Sequence, residues 1–475
     1  MLFSSIVFLW VFLPIVLLIY YFIDKKYKNI VLLISSLIFY SFGEPKYVLL
    51  MIISIILNYI FGILVDKAKN NFYEKLYLYL AIIMNLLILG YFKYFNFFVS
   101  SFSKILRLDN IQLREIALPI GISFYTFQAL SYVVDVYRGK KEENGTKVQK
   151  NILDLALYIS LFPQLVAGPI VKYYDIENQL KNREENITRV AYGIKRFIYG
   201  LSKKVLISNV LAGVADKIFT LPIGGVSTPL AWLGLISYTL QIYYDFSGYS
   251  DMAIGLGEIF GFKFMENFNY PYISRSIKEF WRRWHISLST WFKEYLYIPL
   301  GGNRKGKFRT YINLLIVFFT TGLWHGASIN FIIWGMIHGF FIVIERIFLG
   351  NYINKKYLRI ISHIYTMFIV MVSWVFFRIE TFSGAIDYLK VLFKYRVGSR
   401  VNDIHIYLNR ETILILIIAL LFCGIIQSIF KKLKNDLYDK NNIKGYEIVL
   451  LSTLLFLCVI SMVSGTYNPF IYFKF

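Results

Sequence analysis

The chain has 475 residues, of which 57% are hydrophobic and 19% aromatic, and it carries a formal net charge of +22. This hydrophobic content exceeds the apolar share of a soluble globular domain, so the composition excludes an ordinary soluble protein and predicts a multi-span membrane protein. The charge does not indicate a nucleic-acid partner, because the loops of membrane proteins collect Lys and Arg, which anionic membrane lipids attract.

Apolar runs of roughly the length of a transmembrane helix follow one another along the chain. They predict an all-α polytopic membrane protein with about 11–13 transmembrane or re-entrant helices. We find no soluble domain, long linker or internal repeat, so we expect one membrane domain over residues 1–475. The abundance of Ile, Lys and Asn indicates a bacterial genome, and we expect a multi-pass protein of the plasma (inner) membrane. The runs lie near residues 3–23, 28–43, 47–65, 76–98, 117–137, 151–170, 190–218, 229–262, 310–323, 327–349, 358–378, 411–430 and 446–464.

Two acidic residues, Asp245 and Asp251, interrupt the apolar run at 229–262. Acids in such a run usually face the interior of a helix bundle and pair with a cation or a histidine. Two interpretations stay open: a carboxylate that orients a base or lines a polar entrance, and a buried structural ion pair.

The polar segment at 263–309 mixes aromatic and charged residues, with Trp281, Trp284 and Trp291 among cations. Polar-edged rings and long cationic side chains suit the depth of lipid headgroups, so this pattern predicts an interfacial or re-entrant segment. Its cations are candidates for binding the phosphates of a nucleotide-like cofactor, and lipid-headgroup anchoring is an equally open interpretation. The candidates here are Arg282, Arg283, Asn303 and Arg304.

Three of the five histidines fall between residues 285 and 338: His285, His325 and His338. His325, which follows Trp324, lies in a long apolar region where an ionisable side chain is costly unless it is used. A lone histidine on an apolar face is more often a satisfied structural residue, so that interpretation stays open for each of them. The spacings typical of zinc sites are missing, so we expect no metal, although a haem or copper site stays open.

Several motifs, in order, resemble the membrane-bound O-acyltransferase family in its alginate O-acetyltransferase branch. They are MLFSSIVFLWVFLPI at the start, LPIGISFYTFQALSYVVDVYRG at 118–139, LFPQLVAGPI at 161–170, the run from QIYYDFSGYSDM to IPLGGNRKG at 241–306, and GLWHGASINFIIWGMIHG at 322–339. The resemblance implies a helical bundle around a central tunnel or funnel, with His325 as the signature histidine and His285 as a second, supporting one.

The resemblance also implies an activity: transfer of an acetyl group from cytoplasmic acetyl-CoA, as a substrate and not a resident cofactor, toward hydroxyls of an exported, alginate-like or other exopolysaccharide. It implies an extracytoplasmic partner acetyltransferase similar to SGNH hydrolases. We expect His325 to act as general base on the acceptor hydroxyl and His285 to orient the substrate. Trp324 and His338 are supporting candidates.

The aromatic tail at 466–475 is too short to span a membrane and resembles the end of a companion peptide in the related D-alanylation system. Tyr472 is therefore a candidate acyl acceptor, and an aromatic membrane anchor is the other interpretation. Two rival functions stay open: D-alanyl or other acyl transfer to a teichoic acid-type glycan, and a non-catalytic transporter of glycans or lipid-linked sugars.

Overall fold

The computed structural model describes residues 1–106, 116–143, 145–350, 352–353, 355–397, 403–430, 444–465 and 471. Within these ranges the regular structure is helical and no strand is formed. The all-α prediction is therefore confirmed. The chain divides into two compact units, residues 1–193 with 253–265, and residues 194–252 with 266–475. The single domain over 1–475 stays a prediction.

The first unit is built from eight helices, preceded by a π-helical turn at Phe8–Phe12. Within it α3 packs against α4 and α5, and α2 packs against α6. Phenylalanine rings form much of its buried core; those of Phe8, Phe12, Phe39 and Phe162 contact one another. The helices are Leu13–Phe22 (α1), Lys28–Ser41 (α2), Val48–Lys67 (α3), Asn71–Leu106 (α4), Ile122–Gly139 (α5), Ile152–Ser160 (α6), Phe162–Leu165 (α7) and Tyr173–Lys181 (α8).

The apolar run near 151–170 differs from the expected span. It forms two short helices, α6 and α7, which are separated by the non-helical Leu161. Pro163 stands in the first turn of α7, where its missing N–H costs nothing but where it cannot continue the preceding helix. A nine-residue helix rises only about 14 Å, which is too short to cross a bilayer.

The remaining helices belong to the second unit, except that the boundaries between the units fall inside α9 and α11. In the second unit α14 packs against α15, α15 against α16, and the short α12 against both α15 and α16. These helices are Ile187–Ser202 (α9), Asn209–Phe219 (α10), Thr228–Ile259 (α11), Ile277–Arg283 (α12), Ile286–Phe292 (α13), Gly306–His325 (α14), Ile329–Ile344 (α15), Arg359–Arg378 (α16), Phe382–Phe393 (α17), Arg410–Leu420 (α18), Ile426–Ile429 (α19) and Gly445–Ser464 (α20).

Seven helices in the described part of the chain are long and apolar enough to cross a bilayer. Most of them carry many exposed apolar side chains, as expected where lipid replaces water as the solvent, whereas Ile187–Phe219 is largely buried within the protein. A polytopic membrane protein is the result. The seven are Val48–Lys67, Asn71–Ser103, Ile187–Phe219, Ile329–Leu349, Lys356–Arg378, Arg410–Ile429 and Gly445–Ser464.

The pair α14 and α15 owes its close packing to two glycines. A Cβ on Gly322 would overlap the backbone carbonyl of Phe331, and a Cβ on Gly335 would overlap that of Phe318. Small residues let helix backbones approach closely where no water is present to drive apolar association. This contact holds the end of α14, where His325 lies, against α15.

The aromatic residues of the 263–309 segment are placed differently from the sequence expectation. Trp281, Trp284 and Trp291 are all buried within the protein, so they form part of the core and do not present their rings to headgroups. The spacing of Ile277, Phe280, Trp281 and Trp284 explains this, because residues at i, i+3, i+4 and i+7 share one face of a helix. The depth of the segment in the membrane stays a prediction.

Candidate active site

His325 is the last residue of α14 and is 1% exposed. Its imidazole meets three aromatic rings edge-on: Trp324, Trp334 and Phe377, with centroid distances of 4.9, 4.8 and 5.2 Å. The position at the end of a helix gives the side chain a fixed backbone, while the rings restrict its orientation. A buried base with a fixed direction is the result.

The indole of Trp324 also contacts a second predicted histidine, His285, at a centroid distance of 5.9 Å. His285 is fully buried and precedes α13 as its N-cap residue. Its backbone is left-handed, with φ 44° and ψ 55°, which is uncommon for a residue other than glycine. Such strain persists only where the surroundings impose it, and it tends to cluster at functional sites.

Asn267 imposes the orientation of His285. The backbone N–H and the hydroxyl of Ser287 both donate to Asn267 Oδ1, at 3.2 and 2.9 Å, which identifies that atom as the oxygen. The same oxygen lies 3.1 Å from His285 Nδ1. Because a carbonyl oxygen only accepts, Nδ1 must carry the proton, and the lone pair of the neutral ring is on Nε2. The Asn267 amide in turn donates to Ser250 Oγ at 3.0 Å.

The protonation state of His285 follows from its surroundings. The residue lies between two seven-residue helices, outside the seven candidate membrane spans. Burial lowers the pKa of its imidazole well below the ordinary value, because the charged form loses its hydration. The neutral form of the ring is therefore favoured, and in that form Nε2 carries the lone pair.

His338, on α15, is the third member of the group. Its Nε2 lies 3.0 Å from Ser373 Oγ, whose own proton goes to the carbonyl of Val370. The histidine is therefore the donor in this pair. The His338 ring also stacks on Phe280 at 5.9 Å and contacts Trp334 at 5.2 Å. These contacts are those of a packed structural histidine.

The structure thus brings together four of the predicted site residues. Together with Trp334 they form a continuous row of rings in the order His285, Trp324, His325, Trp334, His338. Sequence analysis missed Asn267, Ser287 and Trp334, although Trp334 lies in a quoted motif. Nothing in a single sequence signals Asn267, since its role depends on a hydrogen bond to a residue eighteen positions away.

The acids Asp245 and Asp251 pair with cations. Asp245 forms a fully buried ion pair with Lys204, and Asp251 binds Arg196 at 2.6 Å and Lys203 at 2.5 Å. Both carboxylates lie on α11, six residues apart. Arg196 lies on α9, whereas Lys203 and Lys204 begin the π-helical turn that follows it. The ion-pair interpretation of these acids agrees with this geometry, and no role in orienting a histidine follows from it.

The predicted phosphate-binding residues do not form one cluster. Arg283 binds Glu279 and the backbone carbonyl of Asn269, while Arg304 is exposed in the turn before α14. Arg282 and Asn303 both line a cavity of about 620 Å³, and Asn303 also accepts a hydrogen bond from Tyr297.

The C-terminal tail is described only at Ile471. That residue is 8% exposed, and its backbone N–H donates to Asp245 Oδ2 at 2.8 Å. Tyr472 lies outside the described residues.

Among the residues that the structure describes, no group of three His, Cys, Asp or Glu side chains is arranged to hold a metal ion. The absence of a metal stays a prediction.

The arrangement suits acid–base chemistry on an activated acyl group. Two imidazoles share one indole in a buried, largely aromatic setting that excludes water, and a neutral imidazole can take a proton from a hydroxyl.

The family model for the membrane-bound O-acyltransferase family, MBOAT, matches residues 105–382, which include His285, Trp324, His325 and His338. Two similar proteins are each named "Probable alginate O-acetylase AlgI". The one from Pseudomonas aeruginosa is 45% identical over 399 residues, 83% of this chain and 75% of that protein. The one from Pseudomonas putida is 40% identical over the whole of both chains.

A "Peptidoglycan O-acetyltransferase" from Helicobacter pylori is 34% identical over 100% of this chain and 98% of that protein. The match to the family model covers more than half of the chain, and the full-length relatives extend it to both ends. The chain is a multi-pass integral membrane protein and an O-acyltransferase, and it belongs to the membrane-bound O-acyltransferase family.

Proposed function

We propose that the protein transfers an acetyl group from cytoplasmic acetyl-CoA across the membrane toward hydroxyl groups of an exported cell-surface polysaccharide. The observation that carries the proposal is the shared contact of His285 and His325 with Trp324 in a buried site. The names of the full-length relatives, an alginate O-acetylase and a peptidoglycan O-acetyltransferase, support a glycan as the acceptor and acetyl as the group transferred.

In the proposed reaction His325 accepts the proton of the acceptor hydroxyl as its oxygen attacks the thioester carbonyl. The C–O bond forms, the carbonyl electrons move onto oxygen, and the resulting tetrahedral oxyanion collapses with cleavage of the C–S bond. The thiolate leaves and takes the proton from His325, which returns the imidazole to its neutral form. The thioester is already activated, so the demanding step is deprotonation of the hydroxyl in a dry site.

His285 has a narrower role in this scheme. Its Nδ1–H is committed to Asn267, so the neutral ring offers only an acceptor, Nε2. It therefore orients a substrate O–H or N–H group, and it does not donate a hydrogen bond to the oxyanion. This assignment makes His325 the general base and His285 a residue that binds and directs the substrate.

Two finer parts of the proposal concern partners. An extracytoplasmic acetyltransferase similar to SGNH hydrolases completes the transfer, as the resemblance to the alginate O-acetyltransferase branch implies. Tyr472 is a transient acyl acceptor whose phenol would be activated by His325.

The test is transfer from labelled acetyl-CoA in liposomes that contain the purified protein. His325→Gln is expected to lower labelling of the acceptor by about a hundredfold or more, the usual contribution of a general base. His363→Gln is the matched control, because His363 lies on α16 and bonds to the carbonyl of Ser274 outside the row of rings. Equal activity of the His325→Gln variant and the control would refute the mechanism.

Two further arms address the alternatives. If the protein itself becomes labelled and the Tyr472→Phe variant does not, the tail carries the acyl group. If the label on the variant is unchanged, the tail is a membrane anchor. Transfer from a D-alanyl donor but not from acetyl-CoA would replace the proposed donor. Uptake of a glycan without any acyl transfer would replace the proposed function with transport.

A further inference from the structure

The cavity of about 620 Å³ in the second unit is separate from the proposed reaction site, because neither His285 nor His325 lines it. Its walls come from faces of four helices, α12 to α15. On α14 the lining residues are Leu314, Val317, Phe318 and Thr321, which are spaced i, i+3, i+4 and i+7 and so share one face. This face gives the cavity an apolar wall about 10 Å long.

Cationic side chains also line the cavity. Lys278, Arg282, Lys293 and Arg346 all line it, and all four are exposed. Among the residues that the structure describes, none of the four forms a salt bridge. Such a concentration of cations without carboxylate partners is typical of a site for a phosphate group.

One acid, Glu345, also lines the cavity. It accepts hydrogen bonds from the backbone N–H groups of Ile277 and Lys278, at 2.5 and 3.1 Å. Its carboxylate therefore caps the N-terminus of α12, where the helix dipole favours an anion. Four cations against one carboxylate leave the lining with a net positive charge.

We propose that this cavity binds an anionic phospholipid, with the phosphate among the four cations and an acyl chain along the apolar face of α14. Two observations favour a lipid over a soluble phosphate ester. The apolar wall would have no partner in a soluble anion. Three lining residues, Ile342, Glu345 and Arg346, belong to a helix that is a candidate membrane span, Ile329–Leu349. The proposal does not depend on the proposed function.

The test measures lipid binding to the purified full-length protein by native mass spectrometry in a neutral detergent. Phosphatidylglycerol is titrated against phosphatidylcholine, and inorganic phosphate and coenzyme A are offered as competitors. The double variant Arg282→Gln with Arg346→Gln is expected to bind phosphatidylglycerol about tenfold to thirtyfold more weakly, given the contribution of each cation near a lipid surface. Both side chains are exposed, so the fold should survive their replacement.

The matched control is Lys307→Gln with Arg309→Gln, which removes the same charge from exposed positions on α14 that do not line the cavity. This variant is expected to bind as the unaltered protein does. Val317→Trp fills the space beside the apolar face of α14. It is expected to weaken the binding of phosphatidylglycerol although all four cations are present. Size-exclusion profiles and thermal unfolding establish that each variant is folded.

Three results would overturn the proposal. Equal losses in the two double variants would mean general electrostatic attraction instead of a site. Unchanged binding in Val317→Trp would mean that only a phosphate is recognised. Displacement of the lipid by inorganic phosphate or by coenzyme A at a similar concentration would identify a soluble ligand as the occupant.

Discussion

Asn267 fixes the tautomer of His285, with its side-chain oxygen 3.1 Å from Nδ1. The same oxygen accepts two hydrogen bonds from Ser287, so it cannot rotate away without leaving buried donors unpaired. A single amide thus determines which nitrogen of a candidate catalytic histidine is basic. Positioning of this kind is often as important to a site as the ligating or reacting groups themselves.

Asn267→Asp is expected to shift the pH profile of acetyl transfer. Burial lowers the pKa of His285 in the unaltered protein, so its ring stays neutral well below pH 6.5, its ordinary pKa. A carboxylate beside Nδ1 favours the imidazolium form and raises that pKa. The acidic limb of the profile should therefore move to higher pH, which initial rates measured across a pH series would reveal.

Ser250→Ala is the control for that experiment. It removes the hydrogen-bond partner of the Asn267 amide, but it adds no charge beside His285. The rate of acetyl transfer should fall modestly, and the acidic limb of the pH profile should stay at the same pH. If the two variants give the same profile, Asn267 does not control the protonation of His285.

The indole of Trp324 is expected to position both imidazoles. Trp324→Ala removes the ring between them and should lower kcat about a hundredfold, because a small displacement of a reacting group is enough for such a loss. Trp324→Phe keeps an aromatic face and should be milder. Phe319→Ala, at a 41% exposed position on the same helix, is the control and should leave kcat unchanged. An effect on KM alone would contradict a positioning role.

The sequence predicted His325 because a titratable side chain in apolar surroundings is costly, and that reasoning needs no knowledge of the fold. His285 lies in a polar segment, and its supporting role came from the family resemblance. The helices followed from hydropathy for a similar reason, as the bounds of α3, α15 and α20 illustrate. The role of Asn267 could not be predicted, because it depends on tertiary contacts and because asparagine is a common residue. The physical cost of burial is visible in a sequence, but the geometry that offsets it is not.

The tryptophans of the 263–309 segment show a second limit. Alternating rings and charges fit both a membrane interface and a short amphipathic helix with one buried face. A helix of seven residues gives too few turns for the period to stand out. The prediction of one span at 151–170 failed for the opposite reason. The hydropathy of this run was high enough for a membrane span, and only Pro163 indicated the break between α6 and α7.

Close packing of α14 and α15 is expected to be sensitive to a single methyl group. Gly335→Ala places a Cβ against the carbonyl of Phe318, and overpacking of this kind costs about 1–3 kcal/mol. Gly213→Ala, in the middle of α10 where a Cβ meets open space, is the matched control and should be neutral or slightly stabilising. Thermal unfolding in detergent compares the two. Equal unfolding temperatures would show that the helices can separate without loss.

The buried pair of Asp245 and Lys204 is expected to stabilise the fold only as a pair. Asp245→Leu leaves the fully buried Lys204 without a counter-charge and should cost about 3–5 kcal/mol of unfolding free energy. Adding Lys204→Met should recover most of that loss, because an apolar pair of similar volume replaces the ions. Recovery should be incomplete, since the N–H of Ile471 still lacks the Asp245 oxygen as its acceptor.

The exposed pair of Asp387 and Lys390 provides the control, because Asp387→Ala should change stability little. Chemical unfolding of the four proteins in the same detergent measures the order of stability. The expected order is the unaltered protein and the Asp387→Ala variant, then the double variant, then Asp245→Leu. If Asp245→Leu alone is as stable as the unaltered protein, the ion pair is not a structural requirement.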